Sequence, residues 1–390
     1  MGSDPGIGDV RQERSQSRDP STLDHHFGTH DTLMPMWIAE PSVEPPPEVM
    51  ETLRARAATS WYGYEIRPET ATEIFWDWML SRHRWDGSGL HTVVSPSVGT
   101  SIGVLIEQLT EPGDGVIIQP PVFTDFKTLI ASSRRTPVPN ALVLTDGAYR
   151  IDFDDLAIKA ADPANRMLIL CSPHNPVGRV WRGDELTQLV SICADNNVFV
   201  LADEIHADLV IPPHEFVPFA AAVRADDQIE WAATHGPTKT FGLAGVCDTL
   251  IVTDRATIAE RFASVSSQFH LTRNNVFSLT AFEAAYRHGG AWLDDFLNLI
   301  SLNVEVLANR LPDGIRLVRP EGTYLAWLDL RDLGLEVPDI PRWLASSAGL
   351  ALSPGHWFGR QGAGFARMSI AAQTDTVERA AAQLAAAVDG

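Results

Sequence analysis

From about residue 46 onward, the apolar positions of this chain fall into two alternating patterns. Short and nearly continuous apolar runs occur in HTVVSPSV, GVIIQPP, RMLILCSP, VFVLADEIH, IEWAATHGPTK and DTLIVT. A run without polar interruption is what a strand buried on both faces requires. The segments between them have the 3.6-residue period of helices with one apolar stripe, as in RGDELTQLVSICADNN. Together they predict an α/β domain over residues 46–279, a mostly parallel central sheet flanked by helices. Beyond it, SLTAFEAAYRHGGAWLDDFLNLISLNVEVLANRL reads as one long helical pattern. The strand pair IRLVRP and TYLAWLDLR and a closing helix over 374–388 come next, predicting a smaller α+β lobe over residues 280–390. At the other end, MGSDPGIGDVRQERSQSRDPS carries too little apolar surface to fold alone. Residues 1–45 are therefore expected to be a disordered leader and an N-terminal arm.

Composition narrows the partners. Acidic residues outnumber basic ones 50 to 30, a formal charge of -20, which disfavours nucleic acid and anionic membrane surfaces. Any anionic ligand must be held locally. Cys171, Cys193 and Cys247 are far apart and lack metal-ligand spacing, so neither a disulfide framework nor a metal site is expected. No apolar run approaches the length of a membrane span and no signal-peptide core opens the chain, so a cytoplasmic protein is expected.

Lys127, Lys159 and Lys239 are the only lysines in a chain that otherwise uses arginine. Lys127 and Lys159 sit in helical patterns where a solvated role suffices. Lys239 stands among small and apolar residues in THGPTKTFGLAG. Unlike arginine, a desolvated lysine can lose its proton and act as a base or form a Schiff base. In open α/β sheets ligands sit at the carboxyl ends of the strands, and other polar residues succeed the apolar runs there: Asn175 in SPHNPVG, and Asp203, Glu204 and His206 in LADEIHAD. The turn PSVGTS opens a helix and is a candidate phosphate cradle. Taken singly, Asn175 reads equally as a turn former and Asp203 as a capping residue; their joint order along alternating strands favours a site.

SPHNPVGRVW, LADEIHADL and GPTKTFGLAG, in that order and spacing, resemble the pyridoxal-phosphate enzymes of fold type I, the aspartate aminotransferase superfamily. Within it, PMWIAE, WYGY, EPGDGVIIQPPVF, AAYRHGGAWLDDFL, TYLAWLDLR and FARMSIA resemble the cystathionine β-lyase branch of the MalY/PatB kind. The resemblance implies pyridoxal 5'-phosphate as cofactor, with Lys239 as its Schiff-base lysine and carrier of the substrate Cα proton. It implies Asp203 at the pyridine nitrogen, Asn175 at the ring oxygen and Phe123 against the ring face. Val98, Gly99, Thr100 and Thr238 would hold the phosphate, and His206 and His235 would complete the cofactor shell. Arg367 would clamp the substrate carboxylate, Trp37 and Ala39 would line the substrate side, and Tyr64 would reach over from the second subunit of a homodimer.

The reaction implied by this resemblance is that of a C–S β-lyase, which deprotonates Cα of an S-cysteinyl conjugate and eliminates a thiol, leaving pyruvate and ammonia. The arginine that aminotransferases commonly carry eight positions after the lysine is here Cys247, which favours a lyase over a transaminase. The chain also departs from its branch. Phe123 replaces a common tyrosine, His235 stands four before the lysine where Ser or Thr is usual, Gly242 replaces the asparagine of KTFN, and STLDHHFGTHDT has no lysine-tryptophan-aspartate segment. These changes point to an altered substrate or outcome. A bulky S-cysteinyl conjugate in secondary metabolism is expected, as for relatives in lincosamide antibiotic pathways. Oxygen-dependent decarboxylative deamination of such a conjugate, transamination, and a catalytically idle regulator are the alternatives.

Overall fold

The computed structural model describes Gly8, residues 15–271 and residues 275–390. Its strands are β1 (Met34–Pro35), β2 (His91–Ser95), β3 (Gly115–Ile118), β4 (Thr136–Pro139), β5 (Val143–Thr145), β6 (Ala148–Arg150), β7 (Asn165–Cys171), β8 (Phe199–Asp203), β9 (Trp231–His235), β10 (Thr249–Thr253), β11 (Arg316–Val318), β12 (Leu325–Asp329), β13 (Leu350–Ala351), β14 (Ser353–Pro354) and β15 (Phe365–Ser369). Seven of them form the central sheet in the order β2-β10-β9-β8-β7-β3-β4. It is parallel from β9 to β4, whereas β10 runs antiparallel to both β9 and β2. The expected fold class, the fold type I α/β architecture with a mostly parallel sheet, is what the chain adopts.

Alternation along the strands divides the core into two layers. Met167, Ile169, Leu201, Ala232 and Ile251 pack on one face, while Leu168, Leu170, Val200, Ala202, Ala233 and Val252 pack on the other. Helices cover both faces, so neither set needs polar relief and the runs read as continuous.

A four-stranded antiparallel sheet, β11-β12-β15-β14, comes later in the chain. The N-terminal arm is anchored beside it through β1, which pairs in parallel with β13 as a separate two-stranded sheet. Of the segment expected to be a disordered leader, residues 1–7 and 9–14 lie outside the described residues. Its end is ordered instead: Ser15 caps the 3-10 turn Gln16–Arg18, Asp19 caps the helix Pro20–Phe27, and Leu23 and Phe27 are buried.

Two further expectations change. The long helical pattern is two helices, Val276–His288 and Gly290–Arg310. Gly289 separates them where a Cβ would meet Phe241 Cε1 at 2.4 Å and the Ala285 carbonyl oxygen at 2.5 Å. Only glycine lets the Phe241 ring approach so closely. Strand β4, TPVP, has no counterpart in the hydrophobic reading because of its prolines; they are tolerated at the edge of the sheet, where it lies.

Candidate active site

Three neighbouring strand ends build the floor of the site. Cys171 of β7 lies in register with Asp203 of β8, and Asp203 with Thr234 of β9. Thr234 Oγ1 donates to Asp203 Oδ1 at 3.0 Å, and the Ile205 N–H donates to the same oxygen at 3.3 Å. Burial pushes the Asp203 carboxyl up to about 6, against those two hydrogen bonds and the attraction of Lys239.

Lys239 leaves the end of β9 in a tight turn, where the Phe241 N–H donates to Pro237 O and the Leu243 N–H to Thr238 O. Its Nζ donates to Ala39 O at 2.8 Å, the same carbonyl that accepts from Tyr324 Oη at 3.1 Å. Desolvation and the neighbouring Arg367 charge bring the ammonium pKa down to about 8, partly offset by Asp203, Glu40 and Asp125. Roughly a tenth of the amine is therefore neutral at pH 7.

Arg367, on β15, belongs to the other sheet and is buried. Its Nη1 donates to Asn175 Oδ1 at 3.0 Å, and its Nη2 to Trp37 O at 2.6 Å and Ser353 Oγ at 3.3 Å. Nε is buried without a partner among the described residues. Burial brings the guanidinium down to about 10, so it stays charged at neutral pH. Arginine has no acceptor, so the Asn175 atom facing it is Oδ1 and the amide nitrogen is left to donate elsewhere.

These groups meet around one cavity of about 190 Å³ at the carboxyl ends of the parallel strands. Its lining includes Lys239, Asp203, Asn175, Phe123, Val98, Gly99, His206, Thr238 and Ala39. The helix Val98–Leu109 points its N-terminus there, with the first-turn amides of Val98 and Gly99 lacking helical partners. Burial drives His206 down to about 3, so its ring is neutral, and Nδ1 lacks a hydrogen bond among the described residues.

Other expected residues stand elsewhere. The Thr100 N–H donates to Ser97 Oγ at 3.1 Å, and Thr100 is not among the residues lining the cavity. His235 does not reach the cavity. It is the neighbour of Thr234 on β9, so its side chain turns to the opposite face of the sheet. There it packs against Phe75 and Trp85, with Nε2 2.9 Å from Glu204 Oε2. Trp37 contributes its carbonyl to Arg367, while its indole donates to Ser17 O and packs on Phe27 and Trp357. Tyr64 is 79% exposed and is not part of the cavity of its own chain. Conversely, Asp125, Ile205, Cys247 and Thr249 line the cavity without having been expected there. Asp125 carries no strand-end signal; it enters because it stands two residues after Phe123 in the first turn of a helix.

The sequence matches the family described as aminotransferase class I and II over residues 38–384. Cystathionine beta-lyase PatB of Bacillus subtilis strain 168 is 34% identical over 388 residues, covering 97% of this chain and 99% of the relative. Among solved structures, cystalysin from Treponema denticola, which contains a pyridoxal 5'-phosphate cofactor, superposes with a TM-score of 0.91 at 28% identity, covering 100% of this chain and 99% of that one. The pyridoxal-phosphate-bound C-S lyase from Staphylococcus hominis superposes with a TM-score of 0.89 at 26% identity, covering 100% and 98%.

Proposed function

This chain belongs to the aminotransferase class I and II family and is a pyridoxal-phosphate-dependent carbon–sulfur lyase; we propose that it cleaves an S-cysteinyl conjugate to a thiol, pyruvate and ammonia. The observation that carries this reading is the convergence of Lys239, Asp203 and Asn175 on one cavity, with Arg367 bonded to Asn175 at its edge.

The residues present fit the cofactor. A buried carboxylate on the floor suits a protonated ring nitrogen, a lysine of lowered pKa suits its aldehyde, and free amides at a helix start suit its phosphate. Asp203, Asn175 through its amide nitrogen, Phe123 on one ring face, and Val98, Gly99 and Thr238 would hold it. Bound pyridoxal phosphate supplies the electron sink that lets negative charge develop at the substrate Cα.

The chain's own groups do the rest. Arg367 binds the α-carboxylate, with its unpartnered Nε as one donor. Thr234 and the Ile205 amide keep Asp203 ionised despite its burial. Lys239 in its neutral form removes the Cα proton as the Cβ–S bond breaks, and the thiolate leaves; with one water the remaining three-carbon unit becomes pyruvate and ammonia. His206, neutral and buried, adds no competing charge. Cys247 is buried with its thiol pushed well above the ordinary range, so the position where aminotransferases commonly carry arginine holds a neutral group. That supports elimination over a second, keto-acid half-reaction.

A second cavity of about 360 Å³ adjoins the first and shares Ala39, Thr238 and Ala244 with it. It is lined by Gln16, Glu40, Pro41, Gly242 and Gly245 among others. This room supports a conjugate whose sulfur carries a group larger than that of cystathionine. We also propose that the chain acts in the cytoplasm as a homodimer, divided into an arm over 1–45 and domains over 46–279 and 280–390. Tyr64 would serve the partner's site; Trp61, Tyr62, Tyr64 and Ile66 are all exposed on one chain. Side-by-side turnover of cystathionine and a series of S-substituted cysteines tests the substrate reading. A specificity constant that rises with the size of the substituent supports it, and equal or better turnover of cystathionine contradicts it.

A further inference from the structure

Asp208 lies five residues beyond Asp203 and is buried. Its carboxylate takes three hydrogen bonds from two distant parts of the chain. Trp78 Nε1 and His83 Nε2, both on the helix Thr70–His83, approach Oδ1 at 2.8 Å each. Thr240 Oγ1 donates to Oδ2 at 2.9 Å. These contacts hold the carboxyl below its ordinary range in spite of burial.

Thr240 is the residue after Lys239, and it is fully buried. Phe241, next again, is also fully buried, its ring edge-on to Trp78 with centroids 5.8 Å apart. The turn that presents the lysine is therefore tied on its far side to the helix Thr70–His83, by one charged acceptor and one aromatic contact. On its near side Nζ reaches Ala39 O. Nothing else among the described residues takes the Thr240 hydroxyl.

We propose that Asp208 is a positioning residue for Lys239: by accepting from Thr240 Oγ1 it fixes the lysine turn to the helix Thr70–His83 and so holds the amine in its desolvated place at the cavity. This rests on the reading of Lys239 as the reacting amine. Asp208 itself touches no substrate. A hydrogen bond to a carboxylate is stronger than one to a neutral acceptor, so the clamp is stiffer than a hydroxyl–carbonyl bond would be. A displaced amine loses both its alignment and part of its desolvation. Loss of alignment costs rate steeply, about 10- to 100-fold for a displacement near 1 Å, and recovery of solvent returns the pKa toward that of ordinary lysine.

The test compares Thr240→Val, which keeps the shape and loses the donor, with Thr240→Ser, which keeps the donor. In full-length protein stripped of cofactor, the pH midpoint of Lys239 acetylation by acetic anhydride is tracked by peptide mass spectrometry, since only the neutral amine reacts. In cofactor-loaded enzyme, kcat and KM are measured on an S-alkyl cysteine. Thr240→Val is expected to move the Lys239 midpoint upward from about 8 and to lower kcat about 10- to 100-fold with KM little changed. Thr240→Ser is expected to restore both, and Asp208→Ala, where folded by circular dichroism, to match Thr240→Val. A folded Thr240→Val protein with an unmoved midpoint overturns the proposal whatever its kcat, because a merely structural bond would lower stability without changing the amine. The acetylation readout needs no turnover, so failure of the lyase reading would show separately, as wild-type enzyme releasing no thiol.

Discussion

Arg367 Nη1 donates to Asn175 Oδ1 at 3.0 Å, joining β15 of the four-stranded sheet to the loop after β7 of the central sheet. One amide thereby faces Arg367, the proposed carboxylate clamp, with its oxygen, which leaves its nitrogen to donate elsewhere. Asn175→Asp keeps the size but replaces the donor by an acceptor and pairs the arginine with a permanent anion. KM for the amino acid is expected to rise about 10- to 100-fold, the worth of a charge-assisted hydrogen bond, and cofactor affinity to fall as well. Steady-state kinetics and equilibrium dialysis of pyridoxal phosphate measure the two effects.

Without cofactor, the site's charges are a cost to stability at neutral pH. Asp203 has a folded-state pKa of about 6, above the usual carboxyl value, so its contribution to stability is lost as pH rises from about 4 to about 6. Lys239 has a folded-state pKa of about 8, below the usual value, so stability is recovered only as pH rises from about 8 toward 10.5. Asp203→Asn is expected to stabilise the cofactor-free protein at pH 7.5 by about 1–3 kcal/mol, while abolishing most activity. The gain should fade toward pH 4. Thermal unfolding across pH measures both statements.

Capture of the cofactor aldehyde requires the neutral amine. The rate of pyridoxal phosphate association with the cofactor-free protein is therefore expected to rise with pH through about 8 and to level above it. Stopped-flow absorbance gives this profile. A midpoint near the ordinary lysine value, 10.5, would mean that the turn does not desolvate Lys239.

Gly242 has φ of +68°, in the left-handed region, and a Cβ there would meet nothing closer than Pro41 Cγ at 3.6 Å. The asparagine found at this place in the related motif KTFN is the residue type that best tolerates such a backbone after glycine. Gly242→Asn is expected to cost less than about 1 kcal/mol, whereas Gly242→Val, with room but a disallowed backbone, should cost about 1–3 kcal/mol. Denaturant unfolding of both variants separates backbone strain from packing.

The chemistry of the site was legible where composition or position isolated a residue. Lys239 stood out because lysine is so scarce in this chain, and Asp203 and Asn175 because one ends and the other follows a buried strand. His235 was placed at the cofactor by the resemblance, four positions before Lys239, but a place in a motif does not tell which face of a strand a different residue takes; its neighbour Thr234 bonds to Asp203 on the site side. Thr100 was assigned to the phosphate by the resemblance together with the helix start, neither of which reveals that its amide also donates to Ser97 Oγ. Gly289 was hidden because its role lies in the distant ring of Phe241. The clamp at Asp208 was equally hidden, since its donors Trp78 and Thr240 are 130 and 32 residues away along the chain.

The reaction assigned to the site is tested most directly by product analysis. Purified, cofactor-loaded enzyme is incubated with an S-alkyl cysteine conjugate in air and under nitrogen, with Lys239→Ala as control, and the products are identified by mass spectrometry. Thiol, pyruvate and ammonia in equal amounts in both atmospheres, and none with Lys239→Ala, are the expected result. An aldehyde and carbon dioxide formed only in air, or no release of thiol at all, would contradict a carbon–sulfur β-lyase.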